Sequence, residues 1–386
     1  MTDEPKARAH VDDLRGVGRL AIDATTGVMG LVEAMHRTIA SGPGVLGSPL
    51  AAPARAVTGL VYGAIKGVTR AVGVTIDAAL ATLGPLLGDS APGAQRALVQ
   101  AALNGVLGDY LADTANPLAM PMVLHHADAR PRLVVLVHGL AMHHGQWLRN
   151  GHDHGAALAA ELDATAIYVD YNSGRHISTN GAALAVELER LVTGWPCPVE
   201  SIVIVGHSLG GLVARSACEA ARVAGHAWLG KLTTLVTLGS PHHGAALERG
   251  GNWFEALLGV SAYSAPFRVL GQIRSAGVTD LRFGNVVDAD WQGADRFALA
   301  GDPRTPLALP VGVACYAIAA TTAPEPCERL PGDGLVGVTS ALGQHDRSEH
   351  VLRFADRHLA FGLGHLDLLD APAVAAKLRE WLAIQC

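Results

Sequence analysis

The feature that most constrains this chain is a short glycine-rich turn between a predicted buried strand and a predicted helix. The strand is SIVIV (201–205), the turn is Gly-His-Ser-Leu-Gly-Gly (206–211), and the helical pattern extends over 209–224. Glycines on both sides of Ser208 permit a turn so tight that larger side chains would clash. Such a turn holds the serine hydroxyl beside the positive end of the helix dipole. We therefore predict that Ser208 is a nucleophile.

Apolar runs alternate with helical patterns on both sides of this turn. Strands are predicted over 133–139, 164–171, 201–206, 233–240 and 313–320, and helices over 153–162, 180–193, 209–224 and 371–384. Strands that alternate with helices favour a mostly parallel sheet covered by helices on both faces. The sequence therefore predicts an α/β fold.

A change in composition near residue 128 predicts two regions. Residues 1–127 are poor in strand signals and carry apolar residues at helical spacing, so we predict a helical N-terminal segment. Residues 128–386 contain the predicted strands and form the predicted catalytic domain. The interval 244–310 has no clear strand and is too long for a structureless loop. We predict that it forms a cap over the site.

The role of the N-terminal segment is open between two interpretations. Small residues at every fourth position from Gly59 to Ala71 would let two helices pack closely. The apolar stretch 71–88 is interrupted by Asp77 and falls short of the ~20 apolar residues that a membrane-spanning helix needs. The segment is therefore either a helical appendage packed on the catalytic domain or a region that associates with a membrane surface or another hydrophobic surface.

Charge and cysteine content argue against several classes of protein. A net charge of −6 at pH 7 disfavours a nucleic-acid partner, which needs a basic face. The five cysteines are scattered without a CxxC pair, so we predict no metal cage and no disulfide framework. We also predict no cofactor. Cys315 and Cys327 are near enough in sequence for one bridge, although free thiols are the favoured interpretation. The charged N-terminus lacks the apolar core of a secretory signal, which predicts a cytoplasmic location, peripheral to a lipid surface if the N-terminal segment associates with one.

A serine nucleophile needs a base and an acid, and after a strand–turn–helix of this kind both follow the serine along the chain. His365 lies in GLGHLDLL, a glycine-flanked loop just before the last predicted helix. His242 and His243 follow their strand too closely, and His358 stands in a charged stretch. Asp333 lies in PGDGLVGVTSA, soon after the strand predicted over 313–320. We predict that His365 is the base and that Asp333 orients it.

Two backbone N–H groups are expected to form an oxyanion hole. The first belongs to Leu209, the residue after the predicted nucleophile. The second belongs to Leu140, in the His138-Gly139-Leu140 loop that follows the strand predicted over 133–139. The small Gly139 allows the backbone to turn an N–H inward, and we expect His138 to brace the loop.

At these residues the chain resembles the lipase branch of the α/β-hydrolases, namely bacterial lipases and GPI-inositol-deacylase-like hydrolases. LVHGL, GHSLGG, LGSPHHG, GDGLV and GHLDLL occur in the order typical of that branch, over roughly 130–384. The resemblance implies an α/β-hydrolase fold, a triad at Ser208, Asp333 and His365, and oxyanion positions at Leu140 and Leu209. Many secreted bacterial lipases also hold calcium near the histidine loop, whereas here only Asp367 resembles a calcium ligand, and we predict no metal.

These observations lead us to expect a serine carboxylic ester hydrolase that acts on hydrophobic acyl esters through an acyl-enzyme. Its partner would be a small-molecule or lipid ester. Two alternatives stay open. The same triad would also serve a complex-lipid deacylase, a polyester depolymerase, an amidase or an acyltransferase. The hydrolase fold would instead be a scaffold in a binding protein associated with lipid or granules.

Overall fold

A computed structural model describes residues 15–16, 18–19, 94–245, 275–295, 302, 304–328 and 330–383. The chain divides into two compact units, residues 1–95 with 114–118 and residues 96–113 with 119–386, and the fold and site below belong to the second. The small-residue stripe at 59–71 lies outside the described residues. Most of the predicted cap also lies outside them, so the cap and the domain boundary near 128 stay predictions.

The second unit is built on one seven-stranded sheet. Its strands are β1 (Val123–His125), β2 (Arg132–Val137), β3 (Ala164–Asp170), β4 (Ser201–His207), β5 (Leu232–Leu238), β6 (Ala314–Thr321) and β7 (Asp356–Phe361). They lie in the order β1-β3-β2-β4-β5-β6-β7, with β1 antiparallel to β3 and every other pair parallel. This topology confirms the predicted fold class.

Helices connect the strands. In the described part of the second unit, the α-helices are α1 (Ala94–Asp113), α2 (His154–Glu161), α3 (Ile177–Thr193), α4 (Leu209–Ala224), α5 (Ala276–Asp280), α6 (Val338–Ala341) and α7 (Pro372–Ala383). Short 3₁₀ helices cover His144–Trp147, Ala227–Lys231, Asp288–Asp290, Ser348–His350 and His365–Leu369. Among the described residues, no helix combines the length and apolar character needed to cross a membrane.

The central strands are buried on both faces, which explains why they read as continuous apolar runs. Successive side chains of a strand point to opposite faces, so alternate residues join different clusters. Val135 and Ile204 belong to the cluster that includes residues of α3 and α4. Val134 and Val205 belong to the cluster that includes residues of α2 and α7. The sheet therefore fixes the positions of the segments that follow its strands.

Register brings the carboxyl ends of the parallel strands to one edge of the sheet. Val137 at the end of β2 pairs with Gly206 in β4, and His207 at the end of β4 pairs with Leu238 in β5. The segments that leave β2, β4, β5 and β6 therefore start side by side. Ligands of open α/β sheets bind at this edge, and the predicted site residues come from these segments.

Two strands were not predicted. β1 is only three residues long, and its side chains are half-buried or exposed. β7 lies in the charged stretch DRHLAF and is mostly half-buried, because it forms the far edge of the sheet. His358 therefore lies, half-buried, in an edge strand that pairs with β6.

Candidate active site

The backbone of Ser208 is strained, because its φ is +54° and its ψ is −125°. Non-glycine residues rarely adopt positive φ, and holding such a conformation costs about 1–3 kcal/mol. The surrounding turn holds it, since the Ser208 N–H donates to the Leu238 carbonyl oxygen at 2.8 Å. Ser208 lies between the end of β4 and the start of α4, with 8% of its surface exposed.

The glycines of this turn are required by close backbone contacts. A Cβ at Gly206 would lie 2.6 Å from the backbone of Gly211, and a Cβ at Gly210 would lie 2.1 Å from the carbonyl oxygen of Val137. Neither position has room for a side chain. The turn therefore packs directly against the end of the neighbouring strand β2, and its shape depends on both glycines.

His365 and Asp333 form a buried hydrogen-bonded pair. His365 Nδ1 donates to Asp333 Oδ2 at 2.7 Å, and the His365 backbone N–H donates to the Asp333 carbonyl oxygen at 2.9 Å. The other carboxylate oxygen accepts the N–H groups of Leu335 and Val336 at 3.0 and 2.8 Å. Burial raises the pKa of Asp333, but His365 and these N–H groups outweigh it and hold the pKa below its usual value. Asp333 is therefore ionised at neutral pH.

The second imidazole nitrogen of His365 is left open by this pairing. Because Nδ1 carries the proton donated to Asp333, Nε2 holds a lone pair in the neutral ring. This Nε2 is buried and has no hydrogen-bond partner in the described part of the chain. A buried imidazole in this state can accept a proton from a neighbouring hydroxyl group.

Two residues link the pair to the serine turn. Gly239 directly follows the Leu238 carbonyl that accepts the Ser208 N–H, and a Cβ at Gly239 would lie 3.2 Å from Asp333 Oδ2 and 3.3 Å from His365 Cε1. His207 Nε2 donates to the His365 carbonyl oxygen at 3.1 Å. The structure thus brings the three predicted triad residues to one edge of the sheet.

The predicted oxyanion loop packs against the serine turn. A Cβ at Gly139 would lie 3.0 Å from the Ser208 Cβ. Among the described hydrogen bonds outside helices and strands, neither the Leu140 nor the Leu209 N–H is a donor. Leu209 is also the first residue of α4, where N–H groups have no partner within the helix. Neither N–H group therefore donates to another acceptor among those hydrogen bonds.

Side chains from the end of β3 and beyond support this loop. The Tyr171 hydroxyl donates to the His138 carbonyl oxygen at 2.6 Å, and the two rings stack with centroids 4.3 Å apart. The Ala141 N–H donates to Ser173 Oγ at 2.9 Å. Burial lowers the pKa of His138 to about 4, so its ring is neutral at pH 7. His138 thus belongs to the support of the loop.

The structure also describes His242, Cys315 and Cys327, which the sequence singles out but the predicted triad does not include. His242 is buried, and its ring nitrogens lie 3.2 Å from Thr237 Oγ1 and 3.3 Å from Arg215 Nη1. Burial lowers its pKa well below the usual value, so it stays neutral inside the fold. Cys315 and Cys327 are not joined by a disulfide bond. The link from His207 to His365 was not predicted, because the sequence does not reveal which way a histidine beside a nucleophile turns.

The residues near the histidine loop do not fit a calcium ion. Asp367 and Asp370 are the neighbouring carboxylates, and Arg149 lies 3.6 Å from Asp367 Oδ1 and 3.4 Å from Asp370 Oδ1. The other Asp367 oxygen accepts the Gly364 N–H at 2.8 Å. A guanidinium group thus already supplies the positive charge between these carboxylates.

One family model and several solved structures are similar to parts of this chain. Residues 129–304 match the family model described as the PGAP1-like alpha/beta domain. No curated protein matches the chain. The mature form of the Bacillus licheniformis lipase BlEst2 is 17% identical, with a TM-score of 0.41 over 68% of this chain and 97% of that one. The Pyrococcus furiosus esterase Pf2001 is 12% identical, with a TM-score of 0.40 over 71% and 94% of the two chains.

A lipase-esterase related protein from Clostridium acetobutylicum is 12% identical, with a TM-score of 0.38 over 67% of this chain and 98% of that one. The sheet topology and the family match together bear out the resemblance noted from the sequence. The chain therefore contains a domain with the α/β-hydrolase fold, and its residues 129–304 are similar to the PGAP1-like alpha/beta domain.

Proposed function

We propose that this protein is a serine carboxylic ester hydrolase that acts on hydrophobic acyl esters. Ser208 is the nucleophile, His365 is the general base and then the general acid, and Asp333 orients the imidazole. The N–H groups of Leu140 and Leu209 stabilise the oxyanion. The observation that carries the proposal is the strained Ser208 turn at the same sheet edge as the His365–Asp333 hydrogen bond of 2.7 Å.

The reaction proceeds in two acyl-transfer steps. Ser208 Oγ attacks the ester carbonyl carbon while its proton passes to His365 Nε2. Asp333 stabilises the imidazolium through the Nδ1–H hydrogen bond. His365 then gives the proton to the leaving alcohol, and the Ser208 ester remains. Water, deprotonated by His365, attacks this acyl-enzyme and releases the acid and the free serine.

Two donors at the oxyanion position favour this chemistry over simple binding. Charge develops on the carbonyl oxygen in the tetrahedral intermediate, and removing one donor typically costs about 3 kcal/mol of transition-state stabilisation. The Leu209 N–H has the further advantage of the α4 dipole, whose positive end favours the oxyanion. Close packing between Gly139 and Ser208 keeps the Leu140 loop beside the reacting atoms.

A hydrophobic acyl group is supported by the sequence of the predicted cap. Residues 253–270, WFEALLGVSAYSAPFRVL, are rich in apolar and aromatic side chains and contain one acidic and one basic residue, Glu255 and Arg268. A cap of this composition would bury an apolar acyl chain far more readily than a charged one.

The test is hydrolysis of p-nitrophenyl esters from acetyl to palmitoyl. Ser208→Ala should lower kcat by at least about 10⁴-fold. Ser348→Ala, a change at an exposed serine, should leave kcat unchanged. The acyl length with the highest kcat/KM separates an esterase from a lipase. Equal rates in wild type and Ser208→Ala would refute the nucleophile.

The alternatives predict different outcomes in the same assay. An amidase, a polyester depolymerase or a deacylase of complex lipids would lose activity in Ser208→Ala but prefer its own substrate over p-nitrophenyl esters. A binding protein built on the fold would turn over none of these substrates, yet would retain lipid or granule binding. Parallel assays on an anilide, a polyester film and a phospholipid vesicle distinguish these cases.

The role of residues 1–127 is a second question with its own test. Deleting residues 1–93 leaves α1 and β1 intact. If the segment recruits the protein to lipid, the deletion should abolish cosedimentation with vesicles and leave soluble-ester turnover unchanged. If the segment is an appendage of the catalytic domain, soluble-ester turnover should fall together with the melting temperature.

A further inference from the structure

Three side chains that the proposed mechanism does not use converge beyond the oxyanion loop. His125 is the last residue of β1, Asp170 is the last residue of β3, and His144 begins the 3₁₀ helix after the loop. His125 pairs with Tyr168 across the two strands, and Asp170 lies two residues further along β3. Because side chains alternate along a strand, His125 and Asp170 lie on the same face of the sheet.

The three side chains meet at one carboxylate. His144 Nδ1 lies 2.6 Å from Asp170 Oδ2, and His125 Nε2 lies 2.9 Å from the same oxygen. The His144 backbone N–H donates to Asp170 Oδ1 at 2.7 Å. The two imidazole rings lie 4.2 Å apart between centroids and are tilted by 31°. Two histidine rings thus share one carboxylate oxygen atom.

The geometry is close to that of a metal site. One ligand atom from each of the three side chains lies within 4.8 Å of the others. Tetrahedral ligands lie about 2.0–2.1 Å from a zinc ion and therefore about 3.3 Å from one another. The side chains of His125 and His144 are 41% and 40% exposed, so small shifts of the rings would admit an ion from solvent.

A fourth side chain, His138, is buried beside this cluster and also indicates a metal site. His138 is fully buried, and its Nε2 has no hydrogen-bond partner in the described residues. Its Nδ1 lies 2.8 Å from the Gly139 carbonyl oxygen and must donate to it, which leaves Nε2 with a lone pair in the neutral ring. That lone pair lies 3.9 Å from Asp170 Oδ1. His138 Nε2 and Asp170 Oδ1 are thus two electron-rich atoms near each other, and no described residue donates a hydrogen bond to His138 Nε2.

We propose that His125, His144 and Asp170 bind a divalent transition-metal ion of the zinc class, with the fourth coordination position open to water. Two imidazole nitrogens and one carboxylate oxygen suit this class of ion, and three protein ligands with an open position are typical of accessible zinc sites. The ion replaces the shared hydrogen bonds at Asp170 Oδ2 and supplies the positive charge that the His138 and Asp170 lone pairs face.

The ion has a structural consequence for the neighbouring loop. The loop that leaves β2 carries Leu140 and ends at His144, so a metal bound to His144 joins the far end of this loop to β1 and β3. A bound ion would therefore hold the Leu140 N–H in place. This consequence rests on the proposed function, whereas the metal site itself does not.

The test is metal binding by the full-length protein after removal of metals by dialysis against a chelator. Calorimetric titration with ZnCl₂ should show one site per chain that is lost in His125→Gln/His144→Gln. The loss in affinity should be at least about 100-fold, since removing supporting residues outside the ligand set alone costs about 10- to 100-fold. Asp170→Asn, which keeps an acceptor for the His144 N–H, should show the same loss. His126→Gln, a change at the exposed neighbouring histidine, should bind zinc like the wild type.

Cobalt provides an independent readout. Wild type and His126→Gln should develop the strong visible absorption of four-coordinate Co²⁺, and Asp170→Asn should not. Zinc binding of equal affinity in wild type, the double variant and Asp170→Asn would overturn the proposal, as would no binding by the wild type at millimolar zinc. Far-UV circular dichroism identifies any variant that fails to fold, in which case the single His125→Gln and His144→Gln variants decide. Running the titration in Ser208→Ala separates this site from the proposed catalysis, because the metal should still bind when ester turnover is gone.

Discussion

His207 Nε2 donates a hydrogen bond of 3.1 Å to the carbonyl oxygen of His365. The residue directly before the proposed nucleophile therefore holds the loop that carries the proposed base. Burial, followed by the nearby His365, lowers the pKa of His207 to about 3, so its ring is neutral and acts through this one donor. The other ring nitrogen, Nδ1, has no partner in the described residues.

This bond predicts a positioning role for His207. His207→Phe, which keeps a ring but removes the donor, should lower kcat by about fivefold and change KM little, because a hydrogen bond of this kind contributes about 1 kcal/mol. His207→Gln should recover part of the loss, since its amide can donate. Steady-state kinetics with a soluble ester would measure both effects. A kcat for His207→Phe equal to that of wild type would contradict the role.

The charge of Asp333 should matter more than its size. Asp333→Asn keeps the shape of the side chain, but it favours the wrong tautomer of His365 and should lower kcat by about 10⁴-fold. Asp367→Asn, at the carboxylate beside Arg149, should lower kcat less than about threefold. The comparison is made by kcat at saturating ester. Similar kcat values for the two variants would show that Asp333 is not the orienting acid.

The packing of the serine turn predicts a large cost for a single methyl group. Gly210→Ala places a Cβ against the Val137 carbonyl oxygen at 2.1 Å and should lower the free energy of unfolding by about 3 kcal/mol or more. Gly230→Ala is the matched control, because a Cβ there meets nothing within 4 Å. Denaturant unfolding measures both. A Gly210→Ala protein as stable as Gly230→Ala would show that the turn has room for a Cβ at this position.

Buried neutral histidines predict a loss of stability in acid. The pKa of His154 is lowered to about 4 by burial, whereas an unfolded histidine titrates near pH ~6.5. Between these values the unfolded chain binds a proton that the folded chain does not. The stabilisation is therefore complete above pH ~6.5 and decreases by about 1.4 kcal/mol per pH unit as the pH falls towards 4.

His154→Gln isolates this contribution. The variant should show a free energy of unfolding whose slope with pH between 6 and 4.5 is smaller by about 1.4 kcal/mol per unit than that of the wild type. Denaturant melts at several pH values provide the slopes. Parallel slopes in the two proteins would mean that His154 is protonated in the folded state.

The fold could be predicted because its central strands carry a strong and simple signal. β2 and β4 are buried on both faces and appear as continuous apolar runs, which occur where helices cover a parallel sheet. The sequence does not predict β7, because an edge strand needs only part of its surface to be apolar and DRHLAF carries three charged or titratable residues. It does not predict β1 either, because three residues are too few to show alternation.

The site could be predicted where the chemistry depends on chain order. Ser208 stands in a turn with its own glycine pattern, and in this fold the base and the acid follow the nucleophile along the chain, so the sequence predicts His365 and Asp333 as a pair. The cluster at Asp170 could not be predicted in this way. Its two histidines lie 45 and 26 residues away along the chain, and only the pairing of β1 with β3 and the path of the loop after β2 bring them together.

The central claim is that Ser208 is an activated nucleophile, and covalent labelling tests it most directly. Wild-type protein treated with an alkyl fluorophosphonate should gain one adduct, located by mass spectrometry on the peptide that contains Ser208. Ser208→Ala should gain none, and His365→Ala should react at least about 100-fold more slowly, because the base no longer takes the serine proton. A wild type that stays unlabelled, or that is labelled equally in Ser208→Ala, would contradict the claim.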